Sequence, residues 1–125
     1  MLIKKDELII RSATPDDNYM QLILEIDGKS AGEMNCHNMG NKTAQISIEI
    51  HDPALRDKGY GTRFLRMLIG ELFMGLGYER IILDVDLDNL RARHVYEKIG
   101  FRVVRIKEES KVADYELTKE EYIDI

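Results

Sequence analysis

The sequence predicts an α+β fold, equivalently an α/β fold with a mixed sheet. Three observations predict it. Residues 43–50 (TAQISIEI) alternate strictly, two amphipathic helical segments follow, and short apolar runs flank them on both sides. The predicted order is four strands, a helix, a strand, a helix and two strands.

Each element has its own signal. Residues 7–11 (ELIIR) are a short apolar run that reads as a strand. Thr14, Pro15, Asp16 and Asp17 then predict a turn or a single helical turn, with Thr14 as cap and Pro15 at the first helical position. Residues 19–27 (YMQLILEID) predict the second strand. Gly28 and Lys29 mark a tight turn, so residues 30–38 pair back as a hairpin. Residues 38–42 (NMGNK) are another turn. Residues 43–50 place Ala44, Ile46, Ile48 and Ile50 on one face, which buries at least that side. The period then changes. Residues 61–74 carry Phe64, Leu65, Leu68, Leu72 and Phe73 at helical spacing, and Gly75-Leu76-Gly77 stops that helix. Residues 81–85 (IILDV) are apolar enough for a central strand. Asp88-Asn89 opens a second helix, whose Ala92, Val95, Tyr96 and Ile99 share a face and which Gly100 ends. Residues 101–106 and 111–117 predict two closing strands. The tail, residues 117–125, is compatible with the end of a strand followed by a short helix, and with a homodimer contact.

Composition bounds what such a fold does. The chain has 125 residues, which predicts a single domain over residues 1–125, with no linker, low-complexity tract or repeat. The hydrophobic fraction of 44% is enough for a core. No apolar run approaches the roughly 20 residues that a membrane-spanning helix needs, and residues 1–6 (MLIKKD) do not resemble a signal peptide. One cysteine, Cys36, excludes an internal disulfide framework and fits a cytoplasmic setting. A net charge of -5 argues against nucleic acid as a partner, though not against an anion held by a local basic patch.

That patch is visible in residues 46–62 (ISIEIHDPALRDKGYGT). A buried strand runs through Arg56, Asp57, Lys58, Gly59, Tyr60, Gly61 and Thr62 into an amphipathic helix. The first N–H groups of a helix lack internal partners and carry partial positive charge. Glycines at 59 and 61 let anion oxygens approach the backbone. Arg56, Lys58, Arg63 and Arg66 add positive charge. A nucleotide P-loop does not fit, because no Gly-Lys-Ser/Thr follows. A Rossmann site does not fit either, with only two glycines correctly spaced and no repeated βαβ unit. An ordinary glycine-rich turn and a coenzyme A pyrophosphate site remain open.

With Arg56, Gly59 and Gly61 after a strand, and Asn89, Ala92, Tyr96 and Gly100-Phe101 in NLRARHVYEKIGF, the sequence resembles the GNAT superfamily of acetyl-CoA-dependent N-acetyltransferases. Both motifs occur in order and in register over residues 46–103. The stretch IEIHDPALRDKGYGT is similar to the subgroup that acetylates ribosomal-protein N-termini. The resemblance implies a GNAT-like central mixed sheet of about six or seven strands with helices on both faces. Only residues 13–18 lie where relatives carry two helices, so the first helical region is reduced and the acceptor site more open, or completed by a second subunit. His51 stands where relatives more often carry an apolar residue or glycine.

The resemblance also implies roles. The strands at residues 43–50 and 81–85 splay, and backbone groups of Glu49, Ile50 and His51 hold the pantetheine arm of acetyl-CoA. The N–H groups of Asp57, Lys58, Gly59, Tyr60, Gly61 and Thr62 hold the pyrophosphate, with Arg56 beside them, and Asn89 touches the cofactor. Tyr96 is the general acid for the departing thiolate; as a core aromatic on the 92/95/96/99 face it wants a hydroxyl partner in any case. Asp84 or Glu49 takes the proton of the acceptor amine, whose free pKa is about 10; either is otherwise a solvated strand residue. The acceptor is a primary amine on a small molecule, a protein N-terminus or a lysine. A non-catalytic acetyl-CoA sensor is the alternative.

Three features carry no chemistry in this reading. Cys36 is structural, since its neighbour His37 points to the opposite face of a strand. His37, His51 and His94 show no metal-ligand spacing. His94 shares a charged helix face with Arg91 and Lys98.

Overall fold

A computed structural model describes residues 1–12 and 18–123. Eight strands form one sheet: β1 (Leu2–Lys5), β2 (Leu8–Ser12), β3 (Tyr19–Ile26), β4 (Lys29–Gly40), β5 (Thr43–Ile50), β6 (Arg80–Asp86), β7 (Arg102–Lys107) and β8 (Val112–Thr118). Their spatial order is β1-β2-β3-β4-β5-β6-β8-β7. Neighbours are antiparallel except β5 and β6, which run parallel. Parallel neighbours need a long crossover, and α1 (Tyr60–Gly70) supplies it, extended by one π-helical turn over Glu71–Gly75. Among the described residues the remaining helices are α2 (Leu90–Ile99) and α3 (Lys119–Ile123).

The predicted strands and the two predicted helices are present, with one strand added. β1 brings the sheet to eight strands instead of six or seven. Leu2 and Ile3 are adjacent rather than alternating and two lysines follow, so the segment has no strand pattern of its own. It forms by pairing with β2, from Leu2 opposite Arg11 to Lys5 opposite Leu8, around a tight turn with Asp6 at φ 54°. The predicted turn over residues 38–42 narrows to Asn41-Lys42, both left-handed, because β4 continues to Gly40. The turn expected at Thr14–Asp17 lies outside the described residues.

Helices on both faces are not found among the described residues. Register fixes the faces: Leu22, Met34 and Ile48 lie abreast, as do Ala44 and Ile81, and Leu83 and Tyr115. This face is the buried one, and α1 covers it with Phe64, Leu65, Leu68 and Ile69. Each such side chain contributes roughly 1.5–3 kcal/mol by leaving water. α2 packs on the same face, with Tyr96 against Tyr115 and Phe101 at ring centroid distances of 6.1 and 6.0 Å. The opposite face carries Gln21, Asn35, Ser47, Glu33, Glu49, Asp84 and Asp114, which cannot bury an apolar helix. It is instead bound together laterally. Tyr19 donates to Asn35 at 2.7 Å, Gln21 to Glu33 at 3.3 Å and Asn35 to Ser47 at 3.3 Å. Among the described residues its one buried acid, Glu25, is paired with Arg11.

Candidate active site

The site begins where β5 and β6 part. They pair only at Thr43–Arg80, Ala44–Ile81 and Gln45–Ile82. Beyond that, β5 stays on β4 and β6 stays on β8, leaving a gap through the sheet. The His51 N–H donates to the Ala31 carbonyl at 2.9 Å. In an antiparallel ladder this alternates, so Glu49 and His51 direct their backbone groups to β4, while Ile48 and Ile50 direct theirs into the gap. Of Glu49, Ile50 and His51, from which backbone groups were expected in the gap, only Ile50 turns that way, joined by Ile48, while Glu49 and His51 turn to β4. The Ile50 carbonyl already accepts from Arg56 Nη2 at 3.4 Å.

Two cavities meet in the gap. One, of about 390 Å³, opens on the helix side and is lined by Ile48, Glu49 and Ile50, by Leu55, Arg56, Asp57, Gly59, Gly61, Thr62 and Leu65, and by Asn89, Arg91, Ala92, Val95 and Tyr96. The other, of about 280 Å³, opens on the polar face and is lined by Ser47, Ile48, Asp84, Val85, Asp86, Asn89, Tyr96 and Val112. Ile48, Asn89 and Tyr96 belong to both. The geometry offers two ligands separate approaches to one point.

The loop before α1 is shaped for an anion. Asp52 caps a short 3-10 turn, Pro53–Leu55, through its Oδ1 and the Ala54 N–H at 2.9 Å. The chain then passes through two left-handed residues, Asp57 at φ 63° and Gly59 at φ 83°. Gly59 stands at the N-cap of α1 and has no side chain to cap it. Apart from the adjoining chain and helix backbone, no heavy atom lies within 4 Å of where a Cβ at Gly59 or Gly61 would stand, so the loop is open there. Of the residues predicted for the cradle, Gly59, Gly61, Thr62, Arg56 and Asp57 line the larger cavity, whereas Lys58, Tyr60 and His51 do not. Arg63 is also turned away. It pairs with Glu7 and lies 3.8 Å from Asp6, and its guanidinium sits 5.9 Å from the Tyr60 ring centre. The second cation among the described residues that line the cavity is Arg91, named from the sequence only as part of the charged helix face of His94 and Lys98.

Asn89 has a structural duty as well. Its Oδ1 accepts from the Ala92 N–H at 3.2 Å and caps α2. The α2 face legible as Ala92, Val95 and Tyr96 forms one wall of the larger cavity. Tyr96 is 8% exposed. Burial first, and then the charge of Asp84, push its phenol pKa up, so its O–H stays protonated at neutral pH. Among the described residues no protein group hydrogen-bonds that hydroxyl. Tyr115 differs, since its hydroxyl donates to Glu97 and accepts from Arg93 Nε at 3.0 Å.

Glu49 and Asp84 stand on opposite lips of the gap, both on the polar face and both exposed. Glu49 is opposite Glu33, and Asp84 opposite Asp114. Glu33, Glu49 and His51 also bring one ligand atom each within 4.8 Å of one another, an arrangement of metal-ligating type. Sequence spacing missed it because the three converge across two strands. Cys36 is 1% exposed, while His37 lies against the Tyr19 ring at 4.5 Å.

A mixed sheet opened between two parallel strands, with an open glycine loop at the mouth of the opening and a protonated tyrosine lining both of its cavities, is an arrangement able to bring an elongated ligand to a second one. The chain belongs to the acetyltransferase (GNAT) family, whose model matches residues 3–101. Spermidine N(1)-acetyltransferase of Escherichia coli strain K12 is 32% identical over 90 residues, 70% of this chain and 48% of that protein. The chain thus spans about half the length of the curated relatives it matches. A crystal structure of a probable acetyltransferase is 28% identical with a TM-score of 0.78, covering 85% of this chain and 65% of that one. Spermidine N-acetyltransferase from Vibrio cholerae, solved with CoA and spermine, has a TM-score of 0.78 at 20% identity. It covers 86% of this chain and 70% of its own, a likeness of fold.

Proposed function

We propose that the chain is an acetyl-CoA-dependent N-acetyltransferase acting on a small cationic primary amine by direct transfer in a ternary complex. The observation that carries the reading is the meeting of two cavities at Tyr96 in the gap between β5 and β6. Acetyl-CoA supplies an activated acetyl thioester. The residues present fit it. The backbone of Ile48 and Ile50, turned away from β4, suits an extended amide-bearing arm, although the Ile50 carbonyl is shared with Arg56, and the open cradle at Gly59 and Gly61 with Arg56 suits a pyrophosphate. His51, Lys58 and Tyr60 lie outside the lining of this cavity.

Tyr96 holds a proton where the leaving sulfur needs one. An acceptor ammonium must first lose a proton, and Asp84 is the base we favour because it shares the smaller cavity with Tyr96. Glu49, on the facing lip, is the second candidate. Among the described residues no Lys or Arg lies within 4.0 Å of Glu49, Asp84 or Asp86. A cationic acceptor complements these three carboxylates. The names of the relatives point the same way, since spermidine is a small polyamine. A small amine is therefore preferred to a protein N-terminus or lysine.

Thermal unfolding with and without CoA and acetyl-CoA tests the cofactor, because a ligand of the native state raises Tm by mass action. Acetyl transfer is then measured over an amine panel that includes spermidine, cadaverine and a peptide N-terminus. No Tm shift at millimolar ligand overturns the cofactor assignment. Binding with only background thioester hydrolysis on every amine overturns the enzyme and leaves the sensor.

A further inference from the structure

Among the described residues, four charged residues line the larger cavity: Glu49, Arg56, Asp57 and Arg91. Arg91 stands on the first turn of α2, and its Nε lies 3.1 Å from Asp57 Oδ1. This ion pair ties the glycine loop to α2 across the cavity. Asp57 is the misfit. A carboxylate in a loop shaped for an anion repels the ligand that the loop attracts. Its pair with Arg91 neutralises it, yet the two side chains are 66% and 57% exposed, so the pair is weak. A guanidinium held loosely at the rim of an anion cavity passes readily to a better acceptor. A phosphate offers the same two-oxygen edge with more charge.

We infer that Arg91 binds a phosphate group of the ligand in this cleft, and that Asp57 holds Arg91 in place and competes with the phosphate for it. The inference rests on the coenzyme A reading above and extends it to a residue outside the glycine loop. Coenzyme A presents two sources of this chemistry, its pyrophosphate and its ribose 3′-phosphate. Arg56, bonded to the Ile50 carbonyl, and Arg91, bonded to Asp57, then face the ligand from the two sides of the mouth.

The test is calorimetric titration of the full chain with coenzyme A and with 3′-dephospho-coenzyme A. Wild type is compared with Arg91→Gln, Arg91→Lys and Asp57→Asn. Arg91→Gln is expected to weaken coenzyme A binding about tenfold, the effect of losing a charge-assisted hydrogen bond at a partly exposed site. Arg91→Lys restores part of it, keeping the charge but not the fork. Asp57→Asn tightens binding about threefold by removing the competitor. Asparagine tolerates a φ of 63° as aspartate does, so the loop keeps its shape. A loss in Arg91→Gln that persists with the dephospho ligand assigns Arg91 to the pyrophosphate, and one that vanishes assigns it to the 3′-phosphate.

Equal coenzyme A affinity in wild type and Arg91→Gln overturns the inference and leaves the cofactor reading intact. If Arg91→Gln does not fold, Asp57→Asn decides alone, and binding that is unchanged or weaker overturns the inference. Wild type that binds no coenzyme A overturns the cofactor reading, and this inference with it.

Discussion

The Tyr96 hydroxyl and the Asp84 carboxylate line one cavity from different elements, α2 and β6, and the charge of Asp84 adds to burial in holding the Tyr96 pKa up. A negative charge opposes formation of a second one, so removing it lowers the tyrosine pKa. Asp84→Asn is expected to bring it down, but not to its ordinary value, because burial is the larger cause. An ultraviolet phenolate titration, differenced against Tyr96→Phe, reads this directly; an unchanged or higher Tyr96 pKa contradicts the coupling. If Asp84 is also the base, the same variant loses roughly 10²-fold in turnover.

Tyr96→Phe and Tyr115→Phe should fail in opposite ways. The Tyr96 hydroxyl has no protein partner among the described residues, so its loss leaves stability nearly unchanged. As general acid its loss lowers kcat roughly 10²-fold with little change in KM. Tyr115 lies fully buried with its hydroxyl between Glu97 and Arg93. Its loss strands those partners and is expected to destabilise by about 1–3 kcal/mol. Urea unfolding beside steady-state kinetics separates the two, and full turnover in Tyr96→Phe removes it from the mechanism.

What was legible in the sequence was local. The alternation of Ala44, Ile46, Ile48 and Ile50 gave β5 its bounds and its buried face, and Asn89 and Gly100 bracketed α2 because caps are chosen by backbone geometry one turn away. What escaped depends on contacts distant in sequence. β1 exists only through β2. The turning of Arg63 to Glu7 and of Arg91 to Asp57 depends on which element lies across from each, and the two exchange the roles that charge counting assigned. The placing of both α1 and α2 on one face follows from parity of register across eight strands, which no single strand encodes. The choice of Ile48 and Ile50 over Glu49 and His51 follows from the Ala31–His51 hydrogen bond, again a register fact.

Cys36 makes a pH prediction with a definite sign. Burial between β3 and β5 raises its thiol to about 11 from an ordinary value near 9.0. The unfolded chain therefore ionises first. The thiol contributes its full stability below about pH 9, and that contribution is lost as pH rises to about 11. A rise of two units corresponds to roughly 2–3 kcal/mol. Other groups titrate in this range, so the measurement is a difference. Wild type should lose more stability than Cys36→Ala between pH 8 and pH 11 in urea unfolding. Parallel losses in the two proteins contradict the assignment. The same burial predicts that native Cys36 resists alkylation at pH 8 and that urea exposes it.

Two glycines of the β3–β4 hairpin test whether the lip of the cleft is set by close packing of strands. A Cβ on Gly32 would stand 2.2 Å from the Glu49 carbonyl oxygen and 3.0 Å from the Ile50 Cα. Both are backbone atoms of β5 and cannot swing aside as a side chain does. Gly32→Ala must therefore push β4 and β5 apart beside Ile50, where β5 edges the gap. The expected cost is about 3 kcal/mol, the upper range for overpacking, or roughly 10 °C in Tm for a chain of this size. Gly28, at the hairpin turn, has open space around it but a φ of 79°. Gly28→Ala meets only backbone strain and should cost about 1 kcal/mol, a few degrees in Tm. The two also differ in what they do to binding. Gly32→Ala displaces the lip and should weaken coenzyme A binding in protein kept well below its Tm, while Gly28→Ala should leave that affinity unchanged. Equal affinity in both variants would mean that the backbone of β5 at Ile50 does not contribute to holding the ligand.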